Sequence, residues 1–217
     1  MSNTIEVPHL AAEIDSFADE VRKGGLICAN KHYGSDGDIR YWGVSTQAYP
    51  LMERFRETAV RQFEQACGRL PSATIIMVNH ISADRSPGGS GGGWHVDSVA
   101  RQYKGFLYIT DCTDLSSGPF MYINVRPLIL FRIYSAVKYL VTKSFRYSER
   151  EVARLLAAFR AKQVPMLLPG GSAFFLDTSQ LHRGAAITKG ERILATAYMY
   201  DAEVPPSIRL RVDANNG

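Results

Sequence analysis

The chain has 217 residues, which suits one domain with a real core and is short for two ordinary domains. Its 46% hydrophobic and 21% charged residues are typical of a soluble globular protein, and its net charge of +4 gives no ground for expecting nucleic acid. Three scattered cysteines exclude a disulfide framework, and no basic region leads into an apolar stretch at the N-terminus, so a cytoplasmic protein is expected.

Two helices are predicted in the N-terminal third. Residues 8–23 and 48–66 place apolar side chains at helical spacing, and Gly68 stands where a glycine caps the second helix. Between the helices we expect a short strand over residues 26–29 and a polar loop from Asn30 to Asp38.

From residue 73 the apolar period changes to that of strands, separated by Gly/Pro turns. We predict strands over 74–81, 104–111, 120–124, 172–177 and 191–200, a flexible glycine-rich loop over 86–93, and a helix over 148–162. Ser148 and Glu151 have the spacing of a capping box at the start of that helix. The predicted fold class is mainly β with flanking helices and a double-stranded β-helix core, a cupin-like jelly roll. We expect a single domain, 1–217, with a helical part (1–70), a jelly-roll core (71–200) and a lid-like insertion (about 125–165).

The most apolar stretch runs from Pro127 to Thr142 and is interrupted by Arg132 and Lys138. It is too short to span a bilayer comfortably, and basic residues flank it within 126–146. Three interpretations stay open: peripheral contact with a membrane surface, a cap over an apolar substrate cavity, and an ordinary buried connection.

Four polar residues stand in an order that indicates a metal site. In a strand, side chains two residues apart point to the same side, so His95 and Asp97 would project together. With His182 from a distant strand, they would form two histidines and one carboxylate on one face of an ion, the arrangement of non-haem Fe(II) oxygenases. Arg192, on the strand after His182, carries a fork of donors that suits the carboxylate of an organic acid.

These residues and their surroundings resemble the phytanoyl-CoA dioxygenase-like branch of the Fe(II)/2-oxoglutarate-dependent oxygenases. The resemblance is carried by the Arg192 strand and three segments: WHVD (94–97), FLYITDCTDLSSGPFMYI (106–123) and LPGGSAFFLDTSQLHRGA (168–185). It implies that His95, Asp97 and His182 ligate iron, and that Arg192 anchors the distal carboxylate of 2-oxoglutarate. Fe(II), 2-oxoglutarate and O₂ are the cofactors and co-substrates that it implies.

The chain departs from the family pattern at one position near the distal histidine. Family members often carry Ser or Thr two residues after that histidine, whereas this chain has Gly184. Because that hydroxyl commonly helps to hold the co-substrate, Thr196 or Tyr198, on the same face as Arg192 in a regular strand, is a candidate to replace it. Asn79 and Tyr108 are further candidates for 2-oxoglutarate contacts, each on a strand that would line the barrel.

The resemblance implies a dioxygenase that hydroxylates an unactivated C–H bond and releases succinate and CO₂. Related halogenases have a small residue in place of Asp97, so this carboxylate favours hydroxylation. The expected substrate is a small molecule or a carrier- or lipid-linked compound with an anionic group and an apolar body. Two alternatives stay open, a zinc hydrolase built on the same ligands and a non-catalytic jelly-roll binding module. The sequence is silent on the oligomeric state.

Overall fold

A computed structural model describes residues 4–6, 11–34, 37–85 and 93–212. The helices are α1 (Ala11–Lys23), α2 (Pro50–Cys67), α3 (Leu128–Thr142), α4 (Glu149–Phe159) and α5 (Pro206–Val212). The strands are β1 (Thr4–Glu6), β2 (Cys28–Tyr33), β3 (Ile39–Val44), β4 (Ala73–Ser82), β5 (Tyr103–Tyr108), β6 (Phe120–Ile123), β7 (Gln163–Pro165), β8 (Ser172–Asp177), β9 (His182–Gly184) and β10 (Glu191–Tyr200).

The strands form two antiparallel sheets, in agreement with the predicted jelly roll. The larger sheet has the order β1-β8-β5-β10-β4-β3-β2, and the smaller has the order β7-β6-β9. Strand β10 is central and pairs along its whole length with β4, from Glu191 opposite Ser82 to Tyr200 opposite Ala73. The mainly-β fold with flanking helices is therefore confirmed.

Alternation along β10 divides the molecule into a core and a cavity. Ile193, Ala195 and Ala197 are buried in the hydrophobic cluster that also contains the apolar faces of α1 and α2. Arg192 and Thr196, on the opposite face, line a cavity between the two sheets. The apolar packing of the helices thus fixes which side chains of β10 face the cavity.

Several predicted elements are found with small differences in their ends. Gly68 caps α2 in the left-handed conformation and donates its N–H to the carbonyl of Glu64. Ser148 and Glu151 form the predicted capping box of α4. Residues 8–10 of the first predicted helix, and 86–92 of the predicted glycine-rich loop, lie outside the described residues.

The region between the first two helices differs from the prediction. Strand β2 extends to Tyr33, where we expected a polar loop, and it forms a hairpin with β3, which was not predicted. The polar composition of β2 is explained by its position, because it is an edge strand whose second half is exposed.

The predicted insertion, 125–165, contains α3 and α4 and contributes to a hydrophobic cluster of its own. Phe131 and Val152 belong to this cluster, together with Trp94 and Val96 on either side of His95. The segment is thus packed directly against the backbone that carries the first two predicted metal ligands. The part of the chain that the structure describes contains no helix long and apolar enough to cross a membrane.

Candidate metal and co-substrate site

His95 and His182 are direct neighbours on adjacent chain segments. The N–H of each donates to the carbonyl of the other, with N···O distances of 3.0 and 2.9 Å. Asp97 is held by a bond from its N–H to the carbonyl of Thr178, at 3.1 Å. Val96 is buried in the insertion's hydrophobic cluster. Alternation therefore turns His95 and Asp97 to the cavity side.

The side chains of the three predicted ligands converge. His182 Nε2 lies 3.3 Å from Asp97 Oδ2, and His95 Nε2 lies 4.0 Å from Asp97 Oδ1. One ligand atom from each residue can be chosen so that all lie within 4.8 Å of one another. An ion with bonds of about 2.1 Å needs neighbouring donors about 3 Å apart, so a small closure of the triad would accommodate it.

Both imidazoles are oriented by backbone carbonyls. His95 Nδ1 lies 2.9 Å from the carbonyl oxygen of Gly93, and His182 Nδ1 lies 2.8 Å from that of Gln180. Because a carbonyl oxygen only accepts hydrogen bonds, each Nδ1 must carry the proton in these contacts. Each ring then directs Nε2 toward Asp97, and Nε2 is the nitrogen through which it could bind a metal.

Burial is the main factor that lowers the pKa of His95, to about 3, and the neighbouring His182 lowers it further. The ring is thus neutral near pH 7, the form that binds metal. Burial alone would raise the pKa of Asp97, but the adjacent Lys104 and the two histidines outweigh it and hold that pKa well below its usual range. The site therefore offers the Nε2 atoms of two histidines and one ionised carboxylate.

Lys104, on β5, is the cation that balances Asp97. Its Nζ lies 2.8 Å from Asp97 Oδ2 and 4.1 Å from the ring centroid of Tyr198, which faces the same cavity from β10. Burial would lower the pKa of Lys104, but Asp97 and Tyr198 raise it above its usual value. The ammonium is thus charged, and the metal-free site already contains a counter-ion for its carboxylate.

Arg192 is buried with 1% exposure and lines the same cavity as the triad. Its Nη1 donates to the carbonyl of Gly118, in the turn before β6. Burial lowers the pKa of Arg192, while Tyr108 and Asp38 favour its charged form. A guanidinium in this setting suits an anion that enters the cavity.

Asn79 reaches the same end of the cavity from β4. Its Nδ2 donates to Asp38 Oδ2 at 2.8 Å, and Arg40 Nε donates to that same oxygen at 2.5 Å. Among the described residues, Asn79 Oδ1 is buried without a hydrogen-bond partner. A buried polar atom that lacks a partner at a cavity wall is consistent with a ligand that carries a donor or binds through water.

The two remaining predicted co-substrate residues differ in position. Thr196 is buried and lines the cavity, on the same face of β10 as Arg192. Tyr108 is not among the lining residues of the described chain, and its hydroxyl is held by the backbone. The hydroxyl donates to the carbonyl of Met166 at 3.1 Å and accepts from the N–H of Phe120 at 2.9 Å. Tyr108 thus lies in the wall behind the described lining residues, where its hydroxyl joins β5 to the smaller sheet, and its contact with 2-oxoglutarate stays a prediction.

Sequence reasoning missed Lys104, Asp38 and Arg40. Lys104 had a usable signal, because it is a charged residue in an apolar strand at even spacing from Phe106, and both line the cavity. Asp38 and Arg40 were missed with the β2–β3 hairpin, because residues 30–38 were predicted as a loop and no strand was predicted at Ile39–Val44. A paired strand at Ile39–Val44 turns Arg40 and Trp42 to the cavity by alternation.

No family model matches the chain, and no curated protein matches it. Solved structures with similar folds include SnoN, a non-heme alpha-ketoglutarate-dependent epimerase from nogalamycin biosynthesis. It is 15% identical, with 93% of this chain and 78% of that chain covered and a TM-score of 0.59. A prolyl-4-hydroxylase from Pseudomonas putida is 12% identical, with 93% of each chain covered and a TM-score of 0.56. HygX from Streptomyces hygroscopicus, with nickel, 2-oxoglutarate and hygromycin B bound, is 15% identical, with 92% of this chain and 82% of that chain covered and a TM-score of 0.58.

At these identities the similarity shows the fold alone, a jelly roll shared with iron- and 2-oxoglutarate-dependent enzymes. Another structure of SnoN contains Fe³⁺ and alpha-ketoglutarate. The triad of this chain is consistent with Fe(II) and 2-oxoglutarate, and in the described residues it is the one His/Cys/Asp/Glu group with metal-binding geometry.

Proposed function

We propose that this protein is an Fe(II)- and 2-oxoglutarate-dependent dioxygenase of the phytanoyl-CoA dioxygenase-like type, and that it hydroxylates its substrate. The observation that carries the proposal is the convergence of His95, Asp97 and His182 on a cavity that Arg192 also lines. Two imidazoles and a carboxylate on one side of the cavity leave the other side open to co-substrates. Fe(II) with 2-oxoglutarate and O₂ would supply an oxidation coupled to release of succinate and CO₂.

The protein's own residues would hold and orient the reactants. His95, Asp97 and His182 would bind the ion, with each histidine fixed by the carbonyl that accepts from its Nδ1. Arg192 would pair with the distal carboxylate of 2-oxoglutarate, because its planar fork matches two carboxylate oxygens. Thr196 and Asn79 line the same cavity and would contact the co-substrate from β10 and β4.

The charges of the cavity support a substrate with an anionic group. Its volume is about 340 Å³, and Asp97 is the one carboxylate among its described lining residues. Five cationic side chains line it: Arg40, Lys104, Arg146, Arg192 and Arg211. Arg40 and Lys104 each pair with an aspartate, whereas Arg211 lies over the ring of Trp42, at 5.2 Å. This excess of positive charge would attract an anionic substrate in addition to 2-oxoglutarate.

The same distribution of charge argues against a zinc hydrolase. A hydrolase of that kind needs a general base beside the metal. Among the described lining residues Asp97, itself a ligand in the proposal, is the one acidic group. The substrate would be a small molecule or a carrier- or lipid-linked compound, and the protein would contact a membrane peripherally through 126–146.

The function is tested by succinate formation. Purified protein is incubated aerobically with Fe(II), ascorbate and 2-oxoglutarate, because many oxidative enzymes of this kind turn over slowly without their prime substrate. We expect succinate from the wild type, none above background from Asp97→Ala, and a strongly raised KM for 2-oxoglutarate in Arg192→Ala.

Arg183→Ala is the matched control. Arg183 follows His182 directly, but it pairs with Glu149 and stacks on Trp94. Its loss should leave the KM for 2-oxoglutarate unchanged. No succinate from folded wild type that has bound iron would contradict the proposal, and zinc bound at the triad with hydrolytic activity would favour the hydrolase.

A further inference from the structure

The outer face of α3 is apolar and exposed. Eight large apolar or aromatic side chains of this helix are between 37% and 79% exposed: Ile129, Leu130, Ile133, Tyr134, Val137, Tyr139, Leu140 and Val141. All of them except Tyr139, which stacks on Phe145, recur at helical spacing and form one continuous stripe, which we call the α3 stripe. A continuous apolar patch of this kind is unusual on a soluble monomer and marks an interaction surface.

The two charged side chains of α3 and its one serine are turned inward. Arg132 Nη2 lies 2.6 Å from Asp177 Oδ2 and its Nε donates to Ser179 Oγ, while Lys138 Nζ lies 3.0 Å from Glu151 Oε1. Ser135 is buried and accepts a hydrogen bond from the hydroxyl of Tyr147. The usual arrangement of an amphipathic helix is thus reversed. The helix is fixed to the protein by ion pairs and by buried Phe131, and its apolar side faces outward.

The surroundings of the α3 stripe are basic. The segment 126–148 contains no Asp or Glu, and exposed Arg126, Lys143 and Arg146 flank the helix at its two ends. The nearest acidic residues in the chain, Glu149 and Glu151, are paired with Arg183 and Lys138. An apolar face bordered by cations matches a bilayer surface that contains anionic lipids.

We propose that the α3 stripe docks the protein on an anionic lipid surface, with α3 lying in the plane of the interface. The apolar side chains would enter the boundary between headgroups and acyl chains, and Tyr134 would lie at headgroup depth, as interfacial aromatic residues do. The flanking cations would contact lipid phosphates.

A second copy of the chain fits this face less well. A two-fold pairing of antiparallel helices would bring Arg126 of one copy toward Lys143 and Arg146 of the other. No acidic residue within 126–148 would offset this repulsion. An anionic bilayer turns the same charges into an attraction.

The proposed docking surface is continuous with the cavity. The chain after α3 runs beside the triad, where the N–H of Tyr147 donates to the carbonyl of Trp94 and the N–H of Val96 donates to that of Phe145. Arg146, between these residues, lines the cavity. Docking does not depend on the oxygenase chemistry. A membrane-associated anionic substrate would reach the cavity from this side, and this part of the inference rests on the proposed function.

Vesicle co-sedimentation of the metal-free full-length protein tests the docking. Phosphatidylcholine vesicles are compared with vesicles of phosphatidylcholine and phosphatidylglycerol in equal amounts. Each basic residue near such a surface contributes about five-fold in binding, so we expect at least ten-fold stronger partition to the anionic vesicles. Ile133→Glu combined with Leu140→Glu should lower partition at least ten-fold, and Lys143→Ala about five-fold.

Leu70→Glu combined with Leu115→Glu is the matched control. These leucines are 61% and 62% exposed but lie outside the α3 stripe, so the control has the same charge and a similar loss of exposed apolar surface. It should bind like the wild type, and all variants should show the wild-type melting temperature.

Three results would overturn the docking proposal: no binding to anionic vesicles, equal binding by both double variants, or a concentration-dependent dimer that is lost in the α3 double variant while vesicles are not bound. Because the assay uses no metal or 2-oxoglutarate, its failure leaves the oxygenase proposal unaffected.

Discussion

Lys104→Met is expected to destabilise the metal-free protein while it tightens metal binding. The substitution removes a cation 2.8 Å from Asp97 Oδ2 and keeps most of the side-chain volume. Breaking a buried ion pair costs about 3–5 kcal/mol, and we expect about 3 kcal/mol because the Asp97 side chain is 19% exposed. A bound divalent ion would take over the neutralisation of Asp97. The free energy of unfolding of the metal-saturated variant should therefore fall by about half as much.

The difference between these two losses of stability equals the difference in metal-binding free energy between the variant and the wild type. By linkage, about 1.5 kcal/mol less destabilisation in the metal-bound state corresponds to a Kd for metal roughly ten-fold lower than that of the wild type. Urea unfolding with a chelator and with saturating Ni(II), together with direct Ni(II) titration, measures both sides of this relation.

Lys138→Met provides the comparison. Lys138 has a carboxylate partner at 3.0 Å and an aromatic ring at 4.9 Å, which is close to the geometry of Lys104, but its partners are not predicted metal ligands. We expect a loss of about 1 kcal/mol that is the same with and without metal, because its partner Glu151 is 31% exposed. An equal loss in the apo and metal-bound Lys104→Met protein, or weaker metal binding, would refute the reasoning.

Three further substitutions test the site and its scaffold. The folded-state pKa of His95, about 3, lies below the usual 6.5, so the metal-free protein should lose stability as pH falls below 6.5, by at most about 2 kcal/mol at pH 5. Urea unfolding of His95→Gln at pH 7.5 and pH 5 should show a smaller decrease than wild type, and an identical decrease would contradict the low pKa. Gly105→Ala places a methyl group 2.8 Å from the ring of Phe175 and 3.1 Å from Ala59 Cβ, so thermal unfolding should reveal a loss of about 1–3 kcal/mol, with no loss if the ring simply moves aside. Ser148→Ala removes the cap of α4 and should cost about 1 kcal/mol in urea, whereas an unchanged midpoint would mean that the capping box contributes nothing.

Patterns of period 2 explain why the strands, and the faces on which the site residues lie, were predictable. Alternation along β10 places Arg192 and Thr196 on one face, and the structure has both in the cavity wall. Alternation also places His95 and Asp97 together, because Val96 between them is buried on the other side. The capping box of α4 is likewise a local signal that needs no tertiary information.

Features that depend on distant partners were not predictable. Tyr108 has the correct parity to face the cavity, but its hydroxyl bridges Phe120 and Met166, which lie far along the chain. Strand β2 is polar because it lies at a sheet edge, and only pairing with β3 distinguishes it from a loop. For α3 the periodicity is the same whichever side is buried. Its reversed orientation follows from the partners of Arg132 and Lys138, which the sequence does not reveal.

Anaerobic titration of the Fe(II)-loaded protein with 2-oxoglutarate tests the central claim most directly. The chelate formed by these two components gives a weak visible charge-transfer band. We predict the band in the wild type, its absence in His182→Ala, and its shift to much higher 2-oxoglutarate concentration in Arg192→Ala. A folded, iron-bearing wild type without the band would contradict the assignment of this cavity to Fe(II) and 2-oxoglutarate.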